Sequence, residues 1–275
     1  MFEHARLGDG GSVLYVGTGS GYGLALTATR VGDQHVTAVD IDDHVTKTAS
    51  GHLDRIGLHP QLLTADATGP LPGTWDRILS TIGVPSIPVS WIDALRPGGR
   101  LVTTIAHTGL IIIADKTPDG IVGRIGWERA EFMPARSGPA YLPRLGSSFE
   151  GFRQAGGEQV SRGRYPVIDL TAAVELRSML AVTAPGIEHL FQAHDDGRDT
   201  AWMFHADGSW ARAVGARGTR PRVFQGGPRR LWDQLDRIRD RWLREGSLPL
   251  HGAHVTITPH GVIQLEHRNW KASLY

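Results

Sequence analysis

The sequence predicts an α/β protein whose first half is a mostly parallel sheet. Three observations carry that prediction. Short β-branched runs alternate with helix-like segments from Ser12 to about Arg136, one strand runs straight into a glycine-rich turn at Gly17–Gly23, and an antiparallel hairpin follows the fifth strand. Val13–Val16 reads as the first strand, His35–Val39 as the second, Leu62–Ala65 as the third and Arg77–Ile82 as the fourth. The fifth, Arg100–Ala106, is entered through Arg96-Pro97-Gly98-Gly99. The clearest helix of this half is Asp43–Ile56: Val45, Ala49, Leu53 and Ile56 share one face, Asp42 or Asp43 serves as N-cap, and Gly57 stands beyond the end.

Beyond the fifth strand, Leu110–Asp115 and Ile121–Arg136 flank the turn Thr117-Pro118-Asp119-Gly120, a hairpin expected to close the edge of the sheet. Residues 137–170 have little periodicity and read as a linker or covering segment. Residues 171–275 read as a smaller α+β domain. Its expected elements are a helix at Thr171–Leu180, a hairpin of Trp202–Phe204 and Trp210–Val214 around Asp207-Gly208, a helix at Pro228–Glu245 with Pro in the first turn, and a last hairpin, Val255–Thr258 with Val262–Glu266. Asp233 with Arg237, and Asp240 with Arg244, have the spacing of helical ion pairs.

Composition narrows the chemistry. The chain has 275 residues, 29 basic against 28 acidic for a net charge of +1, so no overall field draws it to nucleic acid or anionic lipid. It has no cysteine, which removes disulfides, thiolate nucleophiles and iron–sulfur clusters and points to a cytoplasmic, unexported chain. No apolar run reaches the roughly 20 residues of a membrane span.

The strongest chemical signal is Val16-Gly17-Thr18-Gly19-Ser20-Gly21-Tyr22-Gly23, where a strand meets a helix N-terminus through a backbone that can approach a ligand closely. The dinucleotide pattern G-x-G-x-x-G/A would need Gly or Ala at Tyr22 or Leu24, so NAD is disfavoured. A G-x-G-x-G turn suits S-adenosylmethionine; the alternative is an ordinary glycine-rich turn. Asp40, after the second strand, is placed to accept from both ribose hydroxyls of an adenosine, and Asp66, after the third, from the adenine amino group. Each is otherwise a surface or capping acid.

Together with Ala38-Val39-Asp40, Asp66-Ala67, Trp75–Thr81, Pro85-Ser86-Ile87-Pro88 and Leu95–Val102, this turn resembles the protein-L-isoaspartate O-methyltransferase family over residues 1–136. The resemblance implies a Rossmann-like S-adenosylmethionine-dependent methyltransferase sheet with an antiparallel edge hairpin. It implies cofactor contacts at Gly17, Thr18, Gly19, Ser20, Gly21, Tyr22, Asp40, Ile41, Asp66, Ala67 and Thr81, and an acceptor near Thr81, Val84 and Pro85. The acceptor would be an Asp or isoAsp side chain of a peptide or protein; no metal and no general base are required, because a carboxylate is already ionised.

The sequence departs from the family's pattern in three places. It starts about a dozen residues before the first strand, so the family's Ser/Thr loop against the acceptor carboxylate is expected to be missing. Gly23 stands where a polar residue is more usual, leaving room beside the cofactor. The extension, with Gln225–Asp233 and Val255–Gly261, resembles that of relatives encoded with actinobacterial systems that mature ribosomal peptides, which implies a peptide-recognition role and methylation leading to a succinimide. A binding module with little turnover and a small-molecule methyltransferase are the alternatives. Elsewhere, His251 and His254 lack a completing metal ligand, Trp210 or Trp270 is a candidate wall for a peptide groove, and Arg217–Arg222 with Arg229-Arg230 are candidates for holding an acidic leader peptide.

Overall fold

The computed structural model describes residues 1–136 and 151–275. The chain divides into two units, one of residues 1–141 with 249–275, the other of residues 142–248.

In the first unit, β1 (Val13–Val16), β2 (Val36–Asp40), β3 (Gln61–Thr64), β4 (Trp75–Val84) and β5 (Leu95–Ile105) are parallel, in the order β5-β4-β1-β2-β3. With α2 (Tyr22–Val31), α3 (Asp43–Asp54) and α4 (Val89–Ala94) between strands, this is the Rossmann-like arrangement the sequence predicts. Asp42 caps α3, its carboxylate accepting from the His44 and Val45 amides. The short α1 (Phe2–Ala5) is tied down at its C-terminal carbonyls: Arg100 donates to His4 O at 3.1 Å and Arg77 to Ala5 O at 3.0 Å. Tyr15, Leu24, Leu53, Leu79, Val102 and Ile111 join in one buried cluster.

The antiparallel hairpin is β6 (Leu110–Thr117) with β7 (Gly120–Arg129), and Arg100 on β5 grips Asp115 on β6 through two hydrogen bonds of 2.6 and 2.7 Å. It does not close the sheet. β13 (His254–Ile257) pairs with β7, and β14 (Ile263–His267) and β15 (Trp270–Leu274) extend the sheet to ten strands. The hairpin Val255–Glu266 therefore belongs to the first unit rather than to a domain of residues 171–275. The reason is burial: Val255, Ile257, Ile263 and Leu265 are each at most 2% exposed.

The second unit contains a five-stranded antiparallel sheet, β8-β12-β11-β10-β9. Its strands are β8 (Gln159–Arg162), β9 (Glu188–Ala193), β10 (Arg198–Phe204), β11 (Trp210–Ala216) and β12 (Arg222–Gly226). Part of the stretch read as a linker, 137–170, is thus strand β8; residues 137–150 lie outside the described residues. The predicted helix at Thr171–Leu180 is α5 (Val174–Thr183). The helix expected from Pro228 is α6 (Leu231–Glu245): Gln225 from β12 accepts from the Trp232 amide at 2.8 Å, so capping by a neighbouring strand sets the start. Asp233 accepts from Gln225 and Asp240 from Arg164 and Tyr165, so the expected helical pairs give way to partners in the sheet and the 164–165 segment.

Each fully buried aliphatic side chain of β13 and β14 stabilises by about 1.5–3 kcal/mol, against a typical total of about 5–15 kcal/mol for a domain. A chain ending at Leu248 should therefore lose the cooperative thermal transition of the first unit, followed by circular dichroism. A transition unchanged in midpoint and steepness would contradict the assignment of these strands to the first sheet.

Candidate functional site

Strand β1 delivers Gly17 to the carboxyl end of the parallel sheet, where its amide donates to Val39 O at 2.9 Å. Gly17 has φ +87°, and a Cβ there would lie 2.8 Å from Ile82 Cγ2 and 3.1 Å from Thr81 Oγ1, so only glycine permits this approach of β4 to the turn. Thr81 uses the closeness: its hydroxyl donates to Gly17 O at 2.8 Å, with Val16 O at 3.2 Å. Asp40 braces the turn from β2, one carboxylate oxygen accepting from Gly19 N at 3.3 Å and the other from Asp42 N at 3.2 Å. On the outer side His52 Nδ1 lies 2.9 Å from Ser20 O; a carbonyl only accepts, so Nδ1 carries the proton.

A cavity of about 420 Å³ opens over this turn. Gly17, Thr18, Gly19, Ser20, Tyr22, Asp40, Ile41, Asp66, Ala67 and Thr81 all line it, so ten of the eleven residues expected at the cofactor meet in one space. Gly21 is the exception; it caps α2. Tyr22 is 73% exposed and Ile41 45%, two large apolar side chains at the mouth. Asp66 Oδ1 accepts from Thr68 N and Thr68 Oγ1 at 2.8 and 2.7 Å, which fixes the loop after β3. Thr18 Oγ1 is buried and has no hydrogen-bond partner among the described residues.

The space expected beside Gly23 is already filled. A Cβ on Gly23 would lie 2.1 Å from the Tyr15 phenol oxygen, so Gly23 accommodates Tyr15 rather than leaving room for a ligand. Tyr15 is 3% exposed and lines the same cavity; burial pushes its phenol up, partly offset by a hydrogen bond with Thr81. Sequence reasoning passed over both Tyr15 and His52. The pairing of an aromatic residue two before Gly17 with a glycine six after it was the available signal for Tyr15; His52 left none.

Of the residues expected near an acceptor, Thr81 lines the first cavity, whereas Val84 and Pro85 line a second of about 680 Å³. The two cavities share Thr68 and Ala135. Residues 133–135 separate them by pairing across the end of β4: Gly83 N donates to Met133 O and Ala135 N to Gly83 O, both at 2.9 Å. Trp91 Nε1 on α4 donates to Ala67 O at 2.7 Å and holds the shared loop from the far side.

The remaining candidates are occupied with structure. Among the described residues no three His, Cys, Asp or Glu side chains group as metal ligands, and His251 Nδ1 bonds Gly126 O at 2.8 Å. Trp210 and Trp270 are each 7% exposed, so neither presents a ring to a groove. Arg217, Arg229 and Arg230 are paired with Asp199, Asp207 and Glu158. Among the described residues no helix is long and apolar enough to cross a membrane.

Known proteins resemble this chain in sequence. The curated protein-L-isoaspartate O-methyltransferase of Methanopyrus kandleri is 32% identical over 152 residues, covering 53% of this chain and 62% of that protein. Its counterpart in Hyperthermus butylicus is 31% identical over 159 residues, covering 48% of this chain and 66% of that one. The chain thus spans less than two thirds of the length of either relative. A solved protein-L-isoaspartate O-methyltransferase structure covers 99% of this chain and 78% of its own, with 16% identity and a TM-score of 0.48. The sequence profile of the protein-L-isoaspartate(D-aspartate) O-methyltransferase family matches residues 1–138, half of the chain. By that match, over the stretch that carries the glycine turn, Asp40 and both cavities' β4 wall, the chain belongs to the protein-L-isoaspartate(D-aspartate) O-methyltransferase family.

Proposed function

We propose that the chain is an S-adenosylmethionine-dependent carboxyl O-methyltransferase acting on Asp or isoAsp side chains of a peptide or protein. The observation that carries the reading is the convergence of the Gly17–Gly21 turn, Asp40 and Asp66 on one cavity at the carboxyl ends of parallel strands.

The residues present fit the cofactor. Asp40 keeps unused lone pairs on both oxygens for the ribose hydroxyls, the Asp66–Ala67 loop offers an edge for adenine, and Thr18 Oγ1 is a buried hydroxyl in want of a partner. A Cβ direction at Gly19 meets no atom within 4 Å, so backbone is open to close approach there. When bound, S-adenosylmethionine supplies an electrophilic methyl on a sulfonium that leaves as a neutral thioether. The protein needs no base, since the acceptor carboxylate is ionised at neutral pH; its work is to orient and desolvate two reactants. Tyr22 and Ile41 at the mouth are suited to excluding water. In a precursor peptide, the aspartyl ester so formed would be attacked by the next backbone nitrogen, expelling methanol and leaving a succinimide, a step intrinsic to the substrate. We assign recognition of such a peptide to the unit of residues 142–248, which interrupts the first unit and lies beyond the family match.

Calorimetric titration with S-adenosylmethionine should show binding that Asp40→Ala weakens by about 1.5–3 kcal/mol, the usual worth of hydrogen bonds to a charged group. Unaltered affinity in that variant would remove Asp40 from the site. Incubation with methyl-labelled cofactor and an isoaspartyl peptide should place label that mild base releases as methanol. Base-stable label would mean another kind of methylation, and cofactor binding without any transfer would favour a binding module.

A further inference from the structure

The second cavity has a wall that the family-matched stretch does not supply. The turn between β13 and β14 is seated on the loop after β4: Ile87 N donates to Gly261 O at 2.9 Å, and a Cβ on Gly261, whose φ is +83°, would lie 2.0 Å from Ile87 O. That contact brings His260 to the cavity, facing a space bounded also by Pro70, Leu71, Pro88 and Asp93. Among the described residues, Asp93 is the one Asp, Glu, Lys or Arg on these walls. The Asp93 and His260 side chains have no hydrogen-bond or salt-bridge partner among the described residues, and both are exposed. The shared Thr68 and Ala135 set this cavity directly beside the one proposed for the cofactor.

We infer that the cavity between the 68–73 loop, the 84–88 segment with α4, and the His260 turn is a subsite for a basic side chain of the acceptor polypeptide, close in sequence to the methylated carboxyl. The inference rests on the proposed carboxyl methylation. Charge complementarity selects the occupant. A Lys or Arg stem lies along proline and leucine while its head reaches the unpaired Asp93 carboxylate, and the His260 ring offers a further acceptor at the rim. An acidic side chain would be repelled by the Asp93 carboxylate. The C-terminal hairpin then acts in specificity as well as in folding.

The test uses the full chain saturated with S-adenosylhomocysteine and fluorescent isoaspartyl peptides carrying Lys, norleucine or Glu in turn at the flanking positions. Binding is read by anisotropy. At one flanking position the Lys peptide should bind about fivefold tighter than the norleucine peptide, as befits an accessible ion pair. Asp93→Asn should abolish that preference, and Asp93→Lys should transfer it to the Glu peptide, a reversal that misfolding does not produce. Equal affinity for the three peptides, no peptide binding, or a Lys preference that survives Asp93→Asn would overturn the subsite. A Lys preference that depends on Asp93, without base-labile methylation of the same peptides, would uphold the subsite and overturn the proposed reaction.

Discussion

The missing side chain at Gly17 is what lets β4 close against the first loop: Ile82 and Thr81 occupy the space a methyl group would take. From that approach follow the Thr81 hydrogen bond to the Gly17 carbonyl, the register in which Val16 lies opposite Ser80, and the side of the turn that faces solvent. Asp40 completes the bracing from the opposite neighbour, β2, so the loop is held from both adjacent strands before any ligand arrives. Preorganisation of this kind lowers the ordering cost of binding a flexible zwitterion.

The two cavities differ in how they are built. The first is almost entirely local, assembled from strand ends within residues 1–136. The second depends on chain far away in sequence, because the His260 turn reaches the 85–88 loop only when β13 has paired with β7. A long insertion between those strands is thermodynamically tolerable, since loop-closure cost grows only logarithmically with length. The unit of residues 142–248 has its own sheet, and the Gln225 side chain on its strand β12 caps its helix α6, as expected of an inserted element.

What was legible in the sequence was what local chemistry determines. The glycine turn, Asp40 after the second strand, the Asp42 cap of α3 and the left-handed Gly57 each depend on residues a few positions apart, and each is where the sequence places it. The destination of β13 and β14 was not legible: alternating Val255, Ile257, Ile263 and Leu265 read the same whichever sheet buries them. Strands β8, β9 and β12 were missed because their alternation is broken: apolar Val160 and Leu190 are exposed while polar Gln225 is buried. The start of α6 was misplaced because the capping side chain, Gln225, lies on a neighbouring strand. Gly23 was taken for empty space because its occupant, Tyr15, comes from the strand before the turn.

The proposed function requires that the braced turn and its two acids form a nucleoside site. A crystal structure of the full chain with S-adenosylhomocysteine tests it most directly. The ribose hydroxyls should lie within hydrogen-bond distance of the Asp40 carboxylate, adenine against the Asp66–Ala67 loop and the amino-acid end over Gly17–Gly19, with the second cavity left open. Ligand bound elsewhere, or bound with the ribose away from Asp40, would contradict it.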